Sequence, residues 1–419
     1  MTLEIQAGLV KKASEKLSIA TTELRDKALE AIAVALERNM DFILEANAAD
    51  VEVAKDKKIE GSRLDRLVLS QERITNLANS VREVVKLPDP LCDEEVKKRP
   101  NGLKITKRRV PFGVVGMIYE FRPNVTVDAA ALCLKSGNAV LLRGSETAIV
   151  TNLALVKVMK EAIVSAGLPA ECIELLADSS REAATTMIKL DKYIDILIPR
   201  GGAGLIKHVK ENATVPIIET GVGNCHTYID EFADLKMGVR ILVNAKTGRP
   251  SVCNSCETLL VHQKVAGEFL PLMYEELVKH DVELRGCEET LKILSTKGKV
   301  NPNVVSVVED DYYKEFNDLI LAVKVVENVD AAIEHINTCG TKHSECIVTA
   351  NEGNASKFLS LVDAACVYHN ASTWFSDGGE FGLGAEMGIS TQKLHARGPF
   401  ALKELTTYKY VIQGKGQVR

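Results

Sequence analysis

The chain has 419 residues, 46% hydrophobic and 26% charged, an ordinary globular composition with length for two or three cores. A net charge of −5 excludes a global attraction to nucleic acid or to an anionic membrane. No apolar run reaches membrane-span length, no secretory pattern opens the chain, and ten scattered cysteines point to free thiols in a reducing, cytoplasmic setting.

From about residue 5 to 87 the pattern is helical. Leu24, Ala28, Ile32 and Leu36 recur at helical spacing, and Ser70 is placed to cap a helix through Ile74, Leu77, Val81 and Val85 before Pro88 stops it. This layer carries no chemistry and must pack on something else. Seven of the thirteen residues from Lys97 to Arg109 are basic, and Asn101-Gly102 between alternating runs predicts a hairpin with a primed turn. The basic run reads as an anion-binding arm or as a ribbon bridging subunits. The absence of interleaved aromatics favours the ribbon.

From Gly113 the chain alternates strands and helices. Strands are predicted at 113–119, 139–142, 172–176, 194–198 and 215–219, with helices between them. Continuous apolar strands alternating with helices predict a parallel sheet covered on both faces, whose ligands sit beyond the strands' carboxyl ends. Three such ends carry polar or glycine-rich sequence. Arg143-Gly144-Ser145-Glu146 can meet a ribose or its phosphate. Arg200-Gly201-Gly202-Ala203-Gly204 lets backbone approach a dinucleotide, or is plain turn chemistry. Glu219 and His226 flank Thr220-Gly221-Val222-Gly223-Asn224-Cys225, as chemistry or as satisfied loop residues.

A second α/β unit begins after Tyr228. A helix at 234–246 leads into Thr247-Gly-Arg-Pro-Ser-Val-Cys253-Asn-Ser-Cys256, and a strand follows at 257–262. Cys253 is either a loop nucleophile or a buried filler. No second cysteine pair at zinc-like spacing accompanies Cys253-x-x-Cys256, so no metal site is expected. Further on, six glycines from Gly378 to Gly398 predict a functional loop, and residues 405–412 alternate like a strand.

Four segments carry a family resemblance: Val110–Thr126, Gly137–Glu146, Ser251–His262 and Ile389–Pro399. Together they are similar to the aldehyde dehydrogenase superfamily over essentially the whole chain. The resemblance implies two α/β lobes with parallel-sheet cores plus a small oligomerisation β-arm. It divides the chain into a cofactor-binding domain (1–94 and 112–227), a catalytic domain (228–400) and an arm (95–111 and 401–419). The implied activity is NADPH-dependent reduction of L-glutamyl 5-phosphate to L-glutamate 5-semialdehyde with release of phosphate, in proline biosynthesis. Another acyl-phosphate or acyl-CoA reductase is the alternative.

The same resemblance implies roles for single residues. Cys253 is the nucleophile that forms a thioester, and Asn124 an oxyanion donor. Arg143, Gly144, Ser145 and Glu146 read the adenosine ribose and its 2′-phosphate, Gly201 and Gly202 hold the pyrophosphate, and Glu315 holds the nicotinamide ribose. Glu219 falls near the usual general base. Arg122, His226 and Arg397 suit a substrate with phosphate and carboxylate groups, with Lys393 a further cation. Trp374 stands where the family pattern has arginine. The implied partners are the small-molecule substrate, further copies of the chain in a dimer or tetramer, and a functional link to glutamate 5-kinase; neither nucleic acid nor membrane is expected.

Overall fold

The computed structural model describes residues 2–296, 299–301 and 303–419. It forms two compact units. The first holds the residues up to Thr220 with Gly382–Gly388 and Phe400–Arg419; the second holds Gly221–Phe381 with Ile389–Pro399. The boundary precedes the expected 227/228 division because residues 225–229 form a strand of the second unit.

The first unit opens with helices α1 (Leu3–Leu17), α2 (Thr22–Arg38), α3 (Met40–Asp56), α4 (Gly61–Leu67) and α5 (Gln71–Lys86). Helix α5 starts where the Ser70 hydroxyl accepts from Arg73 N, and it buries Ile74, Leu77, Ala78, Val81 and Val84 on one stripe. Strands β1 (Val114–Tyr119), β2 (Ala139–Arg143), β3 (Ile173–Leu175) and β4 (Ile196–Arg200) follow, connected by α6 (Pro123–Lys135), α7 (Ile149–Ala166) and α8 (Arg181–Met187). Helix α9 (Ala203–Asn212) follows β4. The sheet order is β3-β2-β1-β4, all parallel. Val114, Ile118, Leu141 and Leu197 pack with Ala7 and Val10 of α1 in one buried cluster. The fifth strand expected at 215–219 is reduced to a single bridge between Leu197 and Ile217. Pro216 has no N–H to donate, so the ladder stops there.

The second unit contains β5 (Cys225–Ile229), β6 (Cys256–His262), β7 (Glu283–Gly286), β8 (Val304–Ser306), β9 (Ile320–Val326), β10 (Ser344–Val348) and β11 (Cys366–His369). Their order is β8-β7-β9-β6-β5-β10-β11, again all parallel. Helices α10 (Leu235–Thr247), α11 (Gln263–Leu277), α12 (Glu288–Ile293), α13 (Val329–Cys339) and α14 (Glu352–Leu361) complete it. Leu259, Val261, Phe269, Met273 and Val323 share its core. Burying a side chain such as Phe269 completely contributes about 2 kcal/mol.

An antiparallel arm of Glu94–Lys98, Lys104–Pro111 and Thr406–Gln413 belongs to the first unit, with Lys104–Pro111 in the middle. The C-terminal strand therefore extends the basic ribbon. The expected primed two-residue turn does not form. It would make Pro100 a closing residue that must donate an N–H, which proline lacks. Arg99 N donates to Leu103 O at 2.8 Å instead, Gly102 N donates to Arg99 O, and Gly102 takes φ +88°. Arg108, Lys107 and Arg109 pair with Glu94, Glu95 and Asp93, so three of the basic groups meet acids within the arm. No helix among the described residues is long and apolar enough to cross a membrane.

Candidate active site

Cys253 lies in the loop between α10 and β6 and is half-buried. The side chain of Asp234 caps α10 by accepting from Met237 N, and the helix ends at the Gly248 loop. Close packing and side-chain hydrogen bonds fix that loop. A Cβ built on Gly223 would overlap the Cys253 carbonyl and sit 2.7 Å from its Cα, so only glycine admits this close approach. Asn254 Nδ2 donates to Trp374 O and Ser376 O at 3.0 Å each, while Thr373 Oγ1 donates to Asn254 O at 2.7 Å. The Trp374 indole covers Gly248, where a built Cβ would lie 2.6 and 2.7 Å from two ring carbons. Trp374 thus packs on the loop that leads to Cys253.

Glu315 accepts from Gly223 N at 2.9 Å through Oε1, which ties it to the residue seated against Cys253. The thiol of Cys225 donates to Cys253 O at 3.2 Å. Cys256 is fully buried, its thiol directed at Thr258 O, and burial pushes that thiol up to about 12. It is core rather than a second reactive sulfur.

His226 does not sit where a substrate can reach it. It is fully buried on β5, registered with Glu345 of β10, whose Oε2 takes His226 N at 2.7 Å and faces Nδ1 at 2.9 Å. Burial depresses the imidazole to about 3, so it is neutral. The expectation of substrate binding fails because Cys225–Ile229 is an interior strand, not a continuation of the glycine-rich loop. Arg397 and Lys393 are engaged as well. With Lys342 they surround Asp363, at 2.7, 3.2 and 3.0 Å. Arg397 and then Lys342 hold the Asp363 carboxyl well below the usual carboxylate range. Three cations share one carboxylate, and the cluster stays net positive.

In the first unit the expected cofactor residues meet at the carboxyl edge of the sheet. The register pairs Ile118 with Arg143 and Tyr119 with Arg200. Arg143 is nearly buried and donates through Nη2 to Ser179 O at 2.5 Å and Ser180 O at 3.0 Å. Burial draws its pKa below the ordinary value, against the pull of Glu120 and Asp178. The guanidinium therefore braces the loop after β3. Gly144 is crowded, since a Cβ there would lie 3.3 Å from the Tyr119 ring and closer still to Asn152 Nδ2. Ser145 Oγ accepts from Phe121 N at 3.4 Å, and Glu146 pairs with Lys57 at 3.1 Å. At Gly201 a Cβ would press on Glu120 Oε2, 2.6 Å away, and Gly202 N donates to that same oxygen at 3.1 Å. A Cβ on Gly202 or Gly204 would meet nothing within 4 Å, so open space lies at the N-terminus of α9. A helix start reached through a glycine turn at a parallel sheet's carboxyl edge fits a dinucleotide's pyrophosphate.

Arg122 occupies the N-cap position of α6 with Pro123 behind it. Asn124 Nδ2 donates to Asp128 Oδ2 at 3.1 Å, and burial pushes that carboxyl up to about 6. Glu219 pairs with Lys210 at 3.0 Å.

Comparison with known proteins fits this arrangement. The sequence profile of the Aldehyde dehydrogenase family matches residues 9–293. The chain is 59% identical over 364 residues to the gamma-glutamyl phosphate reductase of Caldicellulosiruptor bescii, covering 87% of this chain and 86% of that one. It is 56% identical over 418 residues to the enzyme of that name from Clostridium perfringens, covering 100% and 99%. Among solved structures, the gamma-glutamyl phosphate reductase of Thermotoga maritima aligns with a TM-score of 0.94 at 50% identity, over 99% of both chains. A propionaldehyde dehydrogenase from Rhodopseudomonas palustris shares the fold at 16% identity, with a TM-score of 0.71 over 98% and 96% of the two chains. These matches imply a nicotinamide cofactor. The chain belongs to the aldehyde dehydrogenase family, within the branch of the gamma-glutamyl phosphate reductases.

Proposed function

We propose that the chain reduces L-glutamyl 5-phosphate to L-glutamate 5-semialdehyde and phosphate, in proline biosynthesis, with NADPH as the reductant. The observation that carries the reading is Cys253, held on a loop by a glycine that no other residue can replace, in a chain similar end to end to gamma-glutamyl phosphate reductases. The Cys253 thiolate attacks the acyl carbon, the acyl–phosphate bond breaks, and the acyl group remains on sulfur as a thioester. Reduced nicotinamide, when bound, supplies the hydride. The resulting thiohemiacetal collapses to the aldehyde and returns the thiolate. Phosphate is a good leaving group, so this direction needs no water-activating base, in keeping with the Lys210 pairing of Glu219. Cys253 N–H and the Asn124 amide act as oxyanion donors, each of the kind that contributes about 3 kcal/mol to a transition state. Arg122 and the net positive cluster at Arg397 attract the substrate's anionic groups.

Gly201 and Gly202 hold the pyrophosphate, and Glu315 the nicotinamide ribose. Lys57, half-exposed beside Glu146 just after β2, supports the phosphorylated form of the cofactor. The arm, with two open edges, joins copies into a dimer or tetramer. Ten free cysteines support a cytoplasmic location. An unstable acyl phosphate calls for a functional link to the kinase that makes it. The test is the reverse assay with glutamate semialdehyde, phosphate and NADP, run beside NAD. Phosphate-dependent cofactor reduction that vanishes in Cys253→Ser supports the reading. No signal from folded, cofactor-binding protein redirects it to other acyl substrates.

A further inference from the structure

Two groups of the second unit are ionisable, fully buried and unused by this chemistry: Lys246, near the end of α10, and Glu257, the second residue of β6. Lys246 Nζ lies 2.7 Å from Glu257 Oε2. Desolvating two such groups is costly, and a buried pair can often be replaced by apolar side chains without loss of stability. Stability alone therefore does not explain them. The other carboxylate oxygen does. Glu257 Oε1 accepts from Asn317 N at 3.3 Å, and Asn317 is a non-glycine residue at φ +57°, in the left-handed region. Asn317 Nδ2 returns to Glu315 O at 3.4 Å, and Glu315 Oε1 takes Gly223 N at 2.9 Å. Gly223 is the seat of Cys253. A connected path thus runs from the buried pair, through the Glu315–Asn317 turn, to the nucleophile's backbone.

We propose that Lys246 and Glu257 are positioning residues: the pair fixes the left-handed turn at Asn317 and so sets both the Glu315 carboxylate and the Gly223 seat of Cys253. The proposal rests on the reading above for the roles of Cys253 and Glu315. Lys246 orients the carboxylate and Glu257 supplies the acceptor. Burial raises Glu257 to about 7, and Lys246 opposes the rise.

Two double variants separate positioning from mere packing, because both remove the charge pair together. Lys246→Met/Glu257→Gln keeps an oxygen for Asn317 N–H, and Lys246→Met/Glu257→Leu does not. Neither readout needs turnover: the dissociation constant of reduced cofactor by fluorescence, and the rate of Cys253 alkylation. The Gln variant is expected within about threefold of wild type in both. The Leu variant, at a similar melting temperature, is expected to bind cofactor about tenfold more weakly and to alkylate at a rate changed by a similar factor. Equal behaviour of the two variants overturns the proposal. If the Leu variant does not fold, amide exchange on the wild-type protein decides. The Asn317 and Gly223 amides must exchange as slowly as those of Leu259–Val261, and exchange at exposed-loop rates refutes the path. Wild-type failure in the reverse assay would discredit the substrate while leaving these readouts interpretable.

Discussion

Gly223→Ala is the sharpest test of how Cys253 is held. The added methyl would overlap the Cys253 carbonyl and stand 2.7 Å from its Cα. Ordinary carbon–carbon contact is about 3.5–4.0 Å, so the Cys253 backbone must retreat by roughly 1 Å or more. The obstacle is backbone, with no rotamer to swing aside. Misplacing a reacting group by about 1 Å costs on the order of 100-fold in rate, or about 2.7 kcal/mol of barrier. Overpacking takes a further ~1–3 kcal/mol from stability. The assay is kcat/KM in the reverse direction, read beside the melting temperature, the cofactor dissociation constant and Cys253 alkylation. Gly267→Ala is the control. That glycine lies within α11 with nothing within 4 Å of a built Cβ, so the change should leave activity intact and stabilise by up to about 1 kcal/mol. A Gly223→Ala protein with near wild-type kcat/KM would refute the argument that a backbone seat fixes the nucleophile.

Other residues give independent checks. Trp374→Ala uncovers Gly248 and frees the Cys253 loop, so alkylation of Cys253 should quicken while kcat falls by about tenfold; unchanged alkylation would remove the indole's role. Asp89→Asn leaves the buried Arg25 without its counter-charge, at side-chain exposures of 3% and 5%, and should cost about 3–5 kcal/mol in denaturant unfolding at neutral pH. Burial raises the Asp89 carboxyl, but the Thr22 hydroxyl, Leu91 N–H and Arg25 together hold it below its ordinary value. Its stabilisation is therefore present above the unfolded value near 3.9 and lost as pH falls through the lower folded value, so the deficit of Asp89→Asn should shrink in acid. The His226 ring should show no titration by NMR between pH 8 and 5, and an inflection near 6.5 would mean the site is open to water.

Much of this architecture was legible in the sequence because its signals are local. The apolar runs of β1, β2, β6 and β9 and the Ser70 cap announce themselves within a few residues. Cys253 and the strand-end motifs stand out for the same reason. Some misreadings depend on long-range pairing, and others on a proline whose missing N–H stood in the sequence itself. Cys225–Ile229 follows two glycines and mixes Cys, His and Thr with Tyr and Ile, so only its neighbours β6 and β10 reveal it as an interior strand. Residues 215–219 look like a strand, yet Pro216 denies the ladder its donor. Arg143 carries the right chemistry at the right place, but the sequence could not disclose that the carbonyls of residues 179 and 180 claim its guanidinium. Gly223, Lys246 and Glu257 had no sequence signal, since their importance lies in what each touches across the fold.

The arm has a consequence for synthesis. Lys104–Pro111 finds its final partner, Thr406–Gln413, only when those residues have been made. At about 5–20 residues per second, the intervening stretch of nearly 300 residues keeps the ribosome occupied for roughly 15–60 s. Through that interval one side of the middle strand has no mate, and its row of backbone donors and acceptors is available to neighbouring nascent chains. The arm's excess of basic over acidic side chains, the same on every polysome product, opposes such encounters. A stop codon near position 400 would make that temporary exposure permanent, and the shortened product should collect in the insoluble fraction even though the residues around Cys253 are all present.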